Sequence, residues 1–299
     1  ILILNTMNNK LLKLKQSVFK LLPWRICYIL RFICWKHRFP RIIHPKDYSD
    51  YIFRDNLLGR HNSHAFLADK VEVRKYVEER ALGDTLTKIY GVWDNAEKID
   101  FTQLPNQFAL KCNHSCATNI ICSDKSSLDI PSACAQLNKW LNAKHDIRYE
   151  QHYRRIKPLI LCEELIPCMP DGSFPIDYKI HCANGTPVYI QVCFERTESS
   201  DGFRKIYSTN WENLNFVKND CYYSGQNIPR PQHLTEMLEA ASKLSRGLEY
   251  ARIDYYDTPE RIIFGEVTLT PMGGWLSYFT QEALDYMGEM IKINKQARI

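Results

Sequence analysis

ARIDYYDTPERIIFGEVTLTPMGGW, residues 251–275, contains two apolar-rich runs that are separated by a short polar turn. The turn carries Asp257, Thr258 and Pro259, residue types that favour chain reversal, so the stretch predicts a β-hairpin. Each arm holds one carboxylate among hydrophobic neighbours, Asp254 in the first arm and Glu266 in the second. The length of the loop decides how these two carboxylates lie relative to each other.

A five-residue loop, residues 257–261, would pair Arg252 with Glu266 and make Asp254 the same-face diagonal neighbour of Glu266. Such neighbours lie about 7–8 Å apart. At that range two carboxylates can bind one or two Mg²⁺ ions together with the phosphates of a substrate. A four-residue loop would place the two carboxylates on opposite faces. The alternative interpretation is a sheet edge that simply carries charged side chains.

The composition is that of a globular protein. The 299 residues are 24% charged and 45% hydrophobic, and they suffice for one large domain or two lobes. The net charge of +5 is unevenly distributed, because residues 1–60 contain 12 Lys or Arg and 3 Asp or Glu while the remainder is mildly acidic. Proteins that bind nucleic acid more often spread a basic surface over the fold, so we exclude nucleic acid as a partner.

Eleven cysteines are scattered from Cys27 to Cys221 without a C-x-x-C pair. Cys112 and Cys116 lack a matching second pair, which argues against a zinc site. Unpaired cysteines in a chain of this size are typical of a reducing compartment. We therefore expect a cytoplasmic protein.

The basic excess belongs to an amphipathic N-terminal extension, residues 1–59. Lys and Arg interrupt its apolar run, so no window reaches the roughly 18 uncharged residues of a spanning helix. No small-residue cleavage site follows the run, and we expect translation to start at Met7. Two interpretations stay open: the segment lies peripherally on an anionic membrane surface, or it is a helix docked on the body with its basic groups extended to solvent.

A lysine precedes a polar loop in FALKCNHSCATNIIC, residues 108–122. The apolar residues at both ends predict two strands, and the loop between them, residues 113–119, is rich in small and hydroxyl side chains. Backbone N–H groups of such a loop can bind phosphate oxygens while Lys111 neutralises their charge. The spacing is not that of a Walker A loop.

KPLILCEELIP, residues 157–167, predicts a buried strand that ends in Glu163 and Glu164. Two acids at the end of a strand are either solvated or hydrogen-bond a purine and its ribose. In the following segment, residues 176–196, the dipeptide Asn184-Gly185 between alternating runs predicts a second hairpin. Its first strand carries Asp177 and Lys179 on one face, and its second strand ends near Arg196.

Residues 198–232 are polar and aromatic and contain Pro, and we interpret them as a long surface segment that covers a substrate. HLTEMLEAASKLSRGL, residues 233–248, predicts a helix, because its apolar residues recur on one face and Gly247 follows them. This helix leads directly into the hairpin at residues 251–275.

The order of these elements resembles the ATP-grasp family, in which two α+β lobes clamp ATP between them. More closely, the chain resembles the TupA-like branch, which is named after a teichuronopeptide-biosynthesis protein. The resemblance covers residues 60–293 and rests on LADKVEVRKYVEE, IDFTQLPNQFALKCNHS, YRRIKPLILCEELI, DYKIHCANG and the hairpin itself. It implies an α+β fold with a first lobe at residues 60–162 and a second lobe with the metal-binding hairpin at residues 163–299.

The resemblance also implies which side chains bind the nucleotide. They are Lys70, Lys111, Ser115, Glu163, Glu164, Asp171 and Lys179. In this arrangement Lys111 reaches the phosphates, the Glu163-Glu164 pair lies at the adenine hinge, and Asp171 binds the ribose hydroxyls.

The same resemblance implies that Arg196 and Lys179 act on the transferring phosphoryl group and that Asp254 and Glu266 hold Mg²⁺. ATP-grasp enzymes usually carry Asn two residues after the metal-bridging Glu, whereas this chain has Thr268, which leaves the number of metal ions open. The phosphate loop also differs from the glycine-rich loop usual in the family, because Cys116 and Ala117 occupy positions where Gly is expected. Bulkier residues limit the approach of the backbone to phosphate.

The resemblance implies an ATP- and Mg²⁺-dependent ligase that attaches an amino acid or another amine to a uronic acid during synthesis of a surface polysaccharide. Its acceptor would be a glycan, a nucleotide sugar or a lipid-linked sugar with a carboxylate. The alternatives are a glycan kinase, with Asp177 as its base, a glycosyltransferase, and a nucleotide-binding scaffold on the membrane. A glycosyltransferase does not require a hinge that binds a purine, and a scaffold does not require Arg196, whose implied role is to stabilise the transferring phosphoryl group.

Overall fold

The computed structural model describes residues 22–116, 118–143, 149–218 and 227–296. Its helices and two antiparallel sheets confirm the predicted α+β class. The α-helices are α1 Trp24–Lys36, α2 Tyr48–Leu58, α3 Ala65–Ala68, α4 Val73–Glu78, α5 Ile130–Leu141, α6 Leu234–Ser245 and α7 Gln281–Gln296. The strands are β1 Ile89–Trp93, β2 Phe108–Cys112, β3 Asn119–Cys122, β4 Ile160–Glu163, β5 Asp177–Ala183, β6 Thr186–Phe194, β7 Phe203–Ser208, β8 Asn213–Leu214, β9 Tyr250–Asp257 and β10 Ile262–Thr268.

The first sheet has the order β1-β4-β2-β3, with every pair antiparallel. Helix α5 packs on one of its faces, where Leu137 meets Phe108, Leu110 and Ile160 in a buried cluster. The opposite side chains of β2 and β4 are therefore free to carry polar groups, and Lys111 lies among them.

The second sheet has the order β10-β9-β5-β6-β7-β8 and is also antiparallel throughout. Asn184 and Gly185 join β5 to β6 with φ angles of 51° and 81°. Positive φ at both central residues is the requirement of a tight hairpin turn, so the predicted Asn-Gly hairpin is confirmed.

The two faces of the second sheet are covered differently. On one face, Ile180 and Ile253 pack with Leu234 and Leu244 of α6. The other face is covered by α2 and α7 over only part of its area. The remainder faces the first sheet across a cavity.

The β9–β10 hairpin has a shorter loop than predicted. Asp257 pairs with Ile262, which leaves a four-residue loop at residues 258–261. The predicted five-residue loop is therefore wrong, and a regular hairpin with this loop would place Asp254 and Glu266 on opposite faces.

A β-bulge at Gly265 reverses that consequence. Phe264 pairs with Tyr255 and Glu266 pairs with Asp254, so Gly265 is the extra residue in β10. A Cβ atom at Gly265 would lie 3.1 Å from the carbonyl oxygen of Asp254, which explains why the position suits glycine. The bulge brings Glu266 directly opposite Asp254 on the same face.

Residues 203–208 and 213–214, which lie in the predicted surface segment, form β7 and β8 at the edge of the second sheet. That part of the prediction is wrong. Arg204 and Lys205 follow each other in β7, and their charges obscure the apolar alternation typical of a strand. Residues 219–226 of the same segment lie outside the described residues.

The N-terminal extension is docked on the body where the structure describes it. Tyr28 and Phe32 of α1 are buried against Phe53 and Leu57 of α2. The ring of Tyr28 stacks on that of Phe53 at 4.1 Å, and its hydroxyl donates a hydrogen bond of 3.1 Å to the carbonyl of Gly273. For residues 24–36 this matches the docked-helix interpretation, whereas residues 1–21 lie outside the described part of the chain. No helix in the described part is long and apolar enough to cross a membrane.

Candidate active site

A cavity of about 800 Å³ lies between the two sheets. Strands β2 and β4 contribute to one wall, β5, β9 and β10 contribute to the other, and the loops after β2, β4 and β6 surround the mouth. Nearly all the site residues predicted from the sequence line it: Lys70, Lys111, Ser115, Glu163, Glu164, Lys179, Arg196, Asp254 and Glu266.

Asp254 and Glu266 face each other on the cavity floor and share one guanidinium. Arg252 Nε donates to Asp254 Oδ1, and Arg252 Nη2 donates to Asp254 Oδ2 and to Glu266 Oε1, each at 2.7 Å. Thr268 Oγ1 also donates to Glu266 Oε1 at 2.7 Å. Arg252 and Thr268 therefore fix the orientation of both carboxylates, and the sequence reasoning assigned Arg252 no such role.

Two cationic side chains, those of Lys179 and Arg196, lie beside the carboxylate pair. The ammonium of Lys179 lies 2.5 Å from Asp177 Oδ2 and 2.6 Å from Asp254 Oδ2. Arg196 Nη1 lies 3.4 Å from Asp177 Oδ2, and its Nη2 donates to the carbonyl of Pro175 at 2.9 Å. Asp177 thus holds both cations at the same end of the cavity.

A pair of lysines lies beside the first sheet: Lys111 on β2, and Lys70 on the turn between α3 and α4. Lys111 forms an ion pair with Glu163, whose other carboxylate oxygen accepts a hydrogen bond of 2.8 Å from Thr87 Oγ1. Lys70 donates to the carbonyl of Ser115 at 2.6 Å, at the start of the polar loop. The two ammonium groups therefore face the cavity from the wall opposite Lys179 and Arg196.

The segment after β4 connects the two walls and is partly apolar. The N–H of Glu164 donates to the carbonyl of Lys88 at 2.8 Å, and the Glu164 side chain is 43% exposed. Leu165 and Ile166 follow it in the lining, and Phe264 contributes from β10. Such a surface of aliphatic and aromatic groups beside peptide polar groups is suited to a flat heterocyclic base.

Asp171 is not brought to the cavity. It is exposed, and its carboxylate accepts hydrogen bonds from the N–H and hydroxyl of Ser173. The acidic residues in the lining that the sequence reasoning missed are Glu198 and Asp201, on the loop between β6 and β7. No motif marks them, since their place depends on how β7 pairs with β6.

Opposing charges determine the ionisation of the site. Burial lowers the pKa of Lys70, whereas for Lys111 the attraction of Glu163 overcomes burial and raises the pKa. Burial and the neighbouring Asp254 raise the pKa of Glu266, but Arg252, Lys179 and Lys70 outweigh them and the net shift is downward. The Glu266 carboxyl group is therefore ionised at neutral pH.

The donor set suits Mg²⁺, which the family resemblance implies. Asp254 and Glu266 offer hard carboxylate oxygens in direct opposition, and Glu266 is 36% exposed toward the cavity. Among the described residues, no cluster of three or more His, Cys, Asp or Glu side chains is arranged to hold a metal ion. Two carboxylates suit an ion that takes its remaining ligands from phosphate and water, and Arg252 and Lys179 lie beside them.

Comparison with known proteins gives one family match. The sequence profile described as TupA-like ATPgrasp matches residues 51–292. No curated protein matches the chain. Similar solved structures include D-alanine–D-alanine ligase from Bacillus anthracis, at 16% identity over 81% of this chain and 75% of that chain, with a TM-score of 0.47. A RimK domain ATP-grasp protein from Sphaerobacter thermophilus is 12% identical over 79% of this chain and 70% of that chain, with a TM-score of 0.41. The ATP-grasp ligase PsnB in complex with a minimal precursor is 9% identical over 83% of this chain and 68% of that chain, with a TM-score of 0.43.

Proposed function

This chain belongs to the TupA-like ATP-grasp family, and on that premise we propose that it is an ATP- and Mg²⁺-dependent ligase that joins a carboxylate to an amine. The observation that carries the proposal is the charge arrangement of the cavity between the sheets. Lysines on one wall and Lys179 with Arg196 on the other flank a pair of opposed carboxylates. Such an arrangement suits a nucleotide triphosphate, whose phosphates need cations and a metal ion together.

In the proposed reaction, a carboxylate oxygen of the acceptor attacks the γ-phosphorus, the bond to ADP breaks, and an acyl phosphate forms. Lys111, Lys179 and Arg196 neutralise the charge on the phosphoryl group by position and electrostatics. Mg²⁺ held by Asp254 and Glu266 would supply further neutralisation of the phosphates. The amine then attacks the acyl carbon, phosphate leaves, and the amine loses a proton.

The proposed acceptor is a uronic acid in a surface glycan, a nucleotide sugar or a lipid-linked sugar, and the proposed amine is an amino acid. The resemblance to the TupA-like branch supports this substrate class. A carboxylate acceptor also agrees with the cationic groups around the phosphoryl site, because the acceptor and ATP both bring negative charge.

One observation favours a glycan kinase as the second candidate. Asp177 Oδ1 is buried and has no hydrogen-bond partner among the described residues, so it could accept the proton of a sugar hydroxyl. The other oxygen of Asp177 is engaged by Lys179 and Arg196. The substrate must decide between the two reactions, because those cations would serve either one.

Product analysis tests the proposal. Incubation with Mg·ATP, a uronic-acid glycan and an amino acid should release ADP and free phosphate. Hydroxylamine in place of the amino acid should trap the acyl phosphate as a hydroxamate, and reduction of the uronate to its neutral sugar should remove the stimulation of ADP release. Phosphate bound covalently to the reduced glycan, with no hydroxamate, would overturn the ligase in favour of the kinase.

We also propose that the N-terminal extension attaches the enzyme peripherally to the cytoplasmic face of an anionic membrane. Residues 1–21 contain Lys10, Lys13, Lys15 and Lys20, and each basic residue near an anionic surface contributes about 1 kcal/mol. Because α1 is packed on α2, the deletion should end at residue 21. Full-length protein should sediment with anionic vesicles at low salt, and the deletion variant should not. Equal sedimentation of both proteins would refute the attachment.

A further inference from the structure

Glu150 is a carboxylate without a cationic partner in the described part of the chain. It is partly buried, and its Oε1 accepts a hydrogen bond from Thr270 Oγ1. No Lys, Arg or His nitrogen of a described residue lies within 4.0 Å of it. Burial raises the pKa of Glu150, and the hydrogen bond from Thr270 opposes that shift. Because a carboxylate that is withdrawn from water is normally paired, its surroundings indicate which cation would complete the pair.

The position of Glu150 is at the end of the active site where the acceptor would react. Strand β10 runs from Phe264, beside the surface suited to a base, to Glu266, and Thr270 follows shortly after its end. The Cα atoms of Glu266 and Thr270 are at most about 14 Å apart. Burial, followed by the charges of Glu150 and Glu266, raises the pKa of Tyr153, so the Tyr153 hydroxyl lies near both carboxylates. Glu150 therefore lies beyond the metal carboxylate as seen from the base.

One oxygen of the Glu150 carboxylate is held and the other is open. Thr270 fixes Oε1, whereas the described residues donate no hydrogen bond to Oε2. A Cβ atom at Gly273 would lie 3.4 Å from Oε2. The absence of a side chain at Gly273 therefore leaves space beside the oxygen that has no donor.

The turn that faces Glu150 has an unusual backbone, and α1 holds it in place. Met272 has a φ angle of 52°, which is uncommon for a residue other than glycine. The hydroxyl of Tyr28 donates a hydrogen bond of 3.1 Å to the carbonyl of Gly273, and the guanidinium of Arg31 lies 5.3 Å from the ring of Trp275. Strained backbone persists where the surrounding structure imposes it, and it is concentrated at sites that bind ligands.

We propose that Glu150 binds the ammonium group of the amine substrate and accepts a proton from it before the amine attacks the acyl phosphate. This inference rests on the proposed function for the reaction itself. An N–H bond of the ammonium breaks as its proton moves to Oε2, and the free electron pair of nitrogen forms the bond to the acyl carbon. The C–O bond to phosphate then breaks, and the second proton of nitrogen leaves with the phosphate.

The environment of Glu150 suits both parts of this role. A primary ammonium supplies the cation that the carboxylate lacks, and a charge-assisted hydrogen bond to Oε2 would orient the nitrogen. A general base is most efficient when its pKa is close to the working pH. Burial moves the pKa of Glu150 in that direction from the ordinary value of a glutamate.

A comparison of two nucleophiles tests the proposal. With Mg·ATP and trigalacturonate, the wild type should form amides from an equimolar mixture of the twenty common amino acids, and a hydroxamate from hydroxylamine. Hydroxylamine is uncharged at neutral pH, so it requires neither the ion pair nor the loss of an ammonium proton. Glu150→Gln keeps the size of the side chain and the acceptor for Thr270. It should reduce the rate of amide formation about a hundredfold and reduce hydroxamate formation far less.

Two further variants control this comparison. Glu150→Asp keeps the negative charge and should retain more amide formation than Glu150→Gln. Glu236→Gln replaces an exposed glutamate in the first turn of α6 and should behave as the wild type does with both nucleophiles. Equal losses with both nucleophiles in Glu150→Gln, or amide formation at the wild-type rate, would overturn the proposal.

Thermal unfolding measures binding of the ammonium group without catalysis. At pH 8, ethylammonium chloride should raise the Tm of the wild type above its value in equal sodium chloride, and it should not raise that of Glu150→Gln. Without ethylammonium, the variant should be at least as stable as the wild type, because a neutral amide replaces an unpaired carboxylate. A variant that is less stable and responds to ethylammonium as the wild type does would show that Glu150 has a structural role only.

The two measurements separate this inference from the proposed function. A wild type that forms no hydroxamate contradicts the ligase reaction, and the response to ethylammonium still tests binding at Glu150. A wild type that forms hydroxamate, together with a Glu150→Gln variant that forms amides normally, refutes the role of Glu150 and leaves the ligase reaction intact.

Discussion

Replacing Arg252 with Met removes the cation that joins Asp254 to Glu266. The guanidinium makes three hydrogen bonds of 2.7 Å to these carboxylates, and Arg252 is only 8% exposed. Removing one partner of a buried ion pair costs about 3–5 kcal/mol, because the remaining charge stays buried. For a chain of this size each kcal/mol corresponds to about 2 °C, so we expect the Tm of Arg252→Met to fall by about 6–10 °C without ligand.

Mg²⁺ should reverse part of that loss in the variant. The ion can replace the guanidinium as the counter-ion of Asp254 and Glu266, and a ligand at one hundred times its Kd stabilises the folded state by about 2.7 kcal/mol. In the wild type, Arg252 already occupies these carboxylate oxygens. Mg²⁺ without nucleotide should therefore raise the Tm of Arg252→Met more than that of the wild type.

Thermal unfolding with and without Mg²⁺ measures both effects, and Arg246→Met is the matched control because Arg246 is exposed at the end of α6. The control should unfold within about 2 °C of the wild type and show the wild-type response to Mg²⁺. The reasoning is refuted if Arg252→Met is as stable as the control, or if Mg²⁺ stabilises it no more than it stabilises the wild type.

Three further predictions follow from the same geometry. Asp254→Asn and Glu266→Gln should nearly abolish ADP release and weaken Mg·ATP binding in calorimetry while circular dichroism stays unchanged; normal turnover by both variants would contradict the metal assignment. Lys111→Met should lower the free energy of unfolding, measured in urea, by about 3–5 kcal/mol because Glu163 stays buried without its cation. Adding Glu163→Gln should restore most of that stability without restoring ATP binding. A double variant that binds ATP normally would contradict the role of Lys111. Burial lowers the pKa of His152 to about 4, so at pH values below about 6.5 the unfolded chain binds a proton at this residue that the folded protein does not bind. Between pH 7.5 and 5.0, His152 alone should therefore lower the free energy of unfolding by about 2 kcal/mol. His152→Phe should reduce that fall, and an unchanged pH dependence would contradict the assignment.

Local patterns in the sequence predicted most of the second sheet and much of the cavity. The Asn184-Gly185 turn, the apolar face of α6 and the alternation in β5 each depend on neighbouring residues only. Their order along the chain then led to the family that the profile match confirms. Lys111 entered the site prediction because a strand lysine before a polar loop is visible without a structure, whereas Lys179 was assigned through the family resemblance.

Features that depend on register between distant residues could not be predicted. The bulge at Gly265 requires two strands to be aligned before the extra residue is apparent. The sequence places Arg252 in a strand but does not reveal that its guanidinium lies between Asp254 and Glu266. Asp171 was assigned by its distance along the chain from the hinge, and its own turn with Ser173 directs it away from the cavity.

The second sheet separates stability from function between its two faces. On β5 and β9, Ile180 and Ile253 are fully buried on the face toward α6, and Lys179, Arg252 and Asp254 alternate with them on the face toward the cavity. Asp254 is 2% exposed and Arg252 is 8% exposed, so these charged positions are almost as buried as the apolar ones. Replacing a buried ion pair by apolar residues of similar volume is often neutral or stabilising by about 1–4 kcal/mol. Stability alone would therefore favour apolar residues on both faces. The proposed function accounts for the charges on the cavity face, because Mg·ATP would bring both negative groups and a metal ion to that surface.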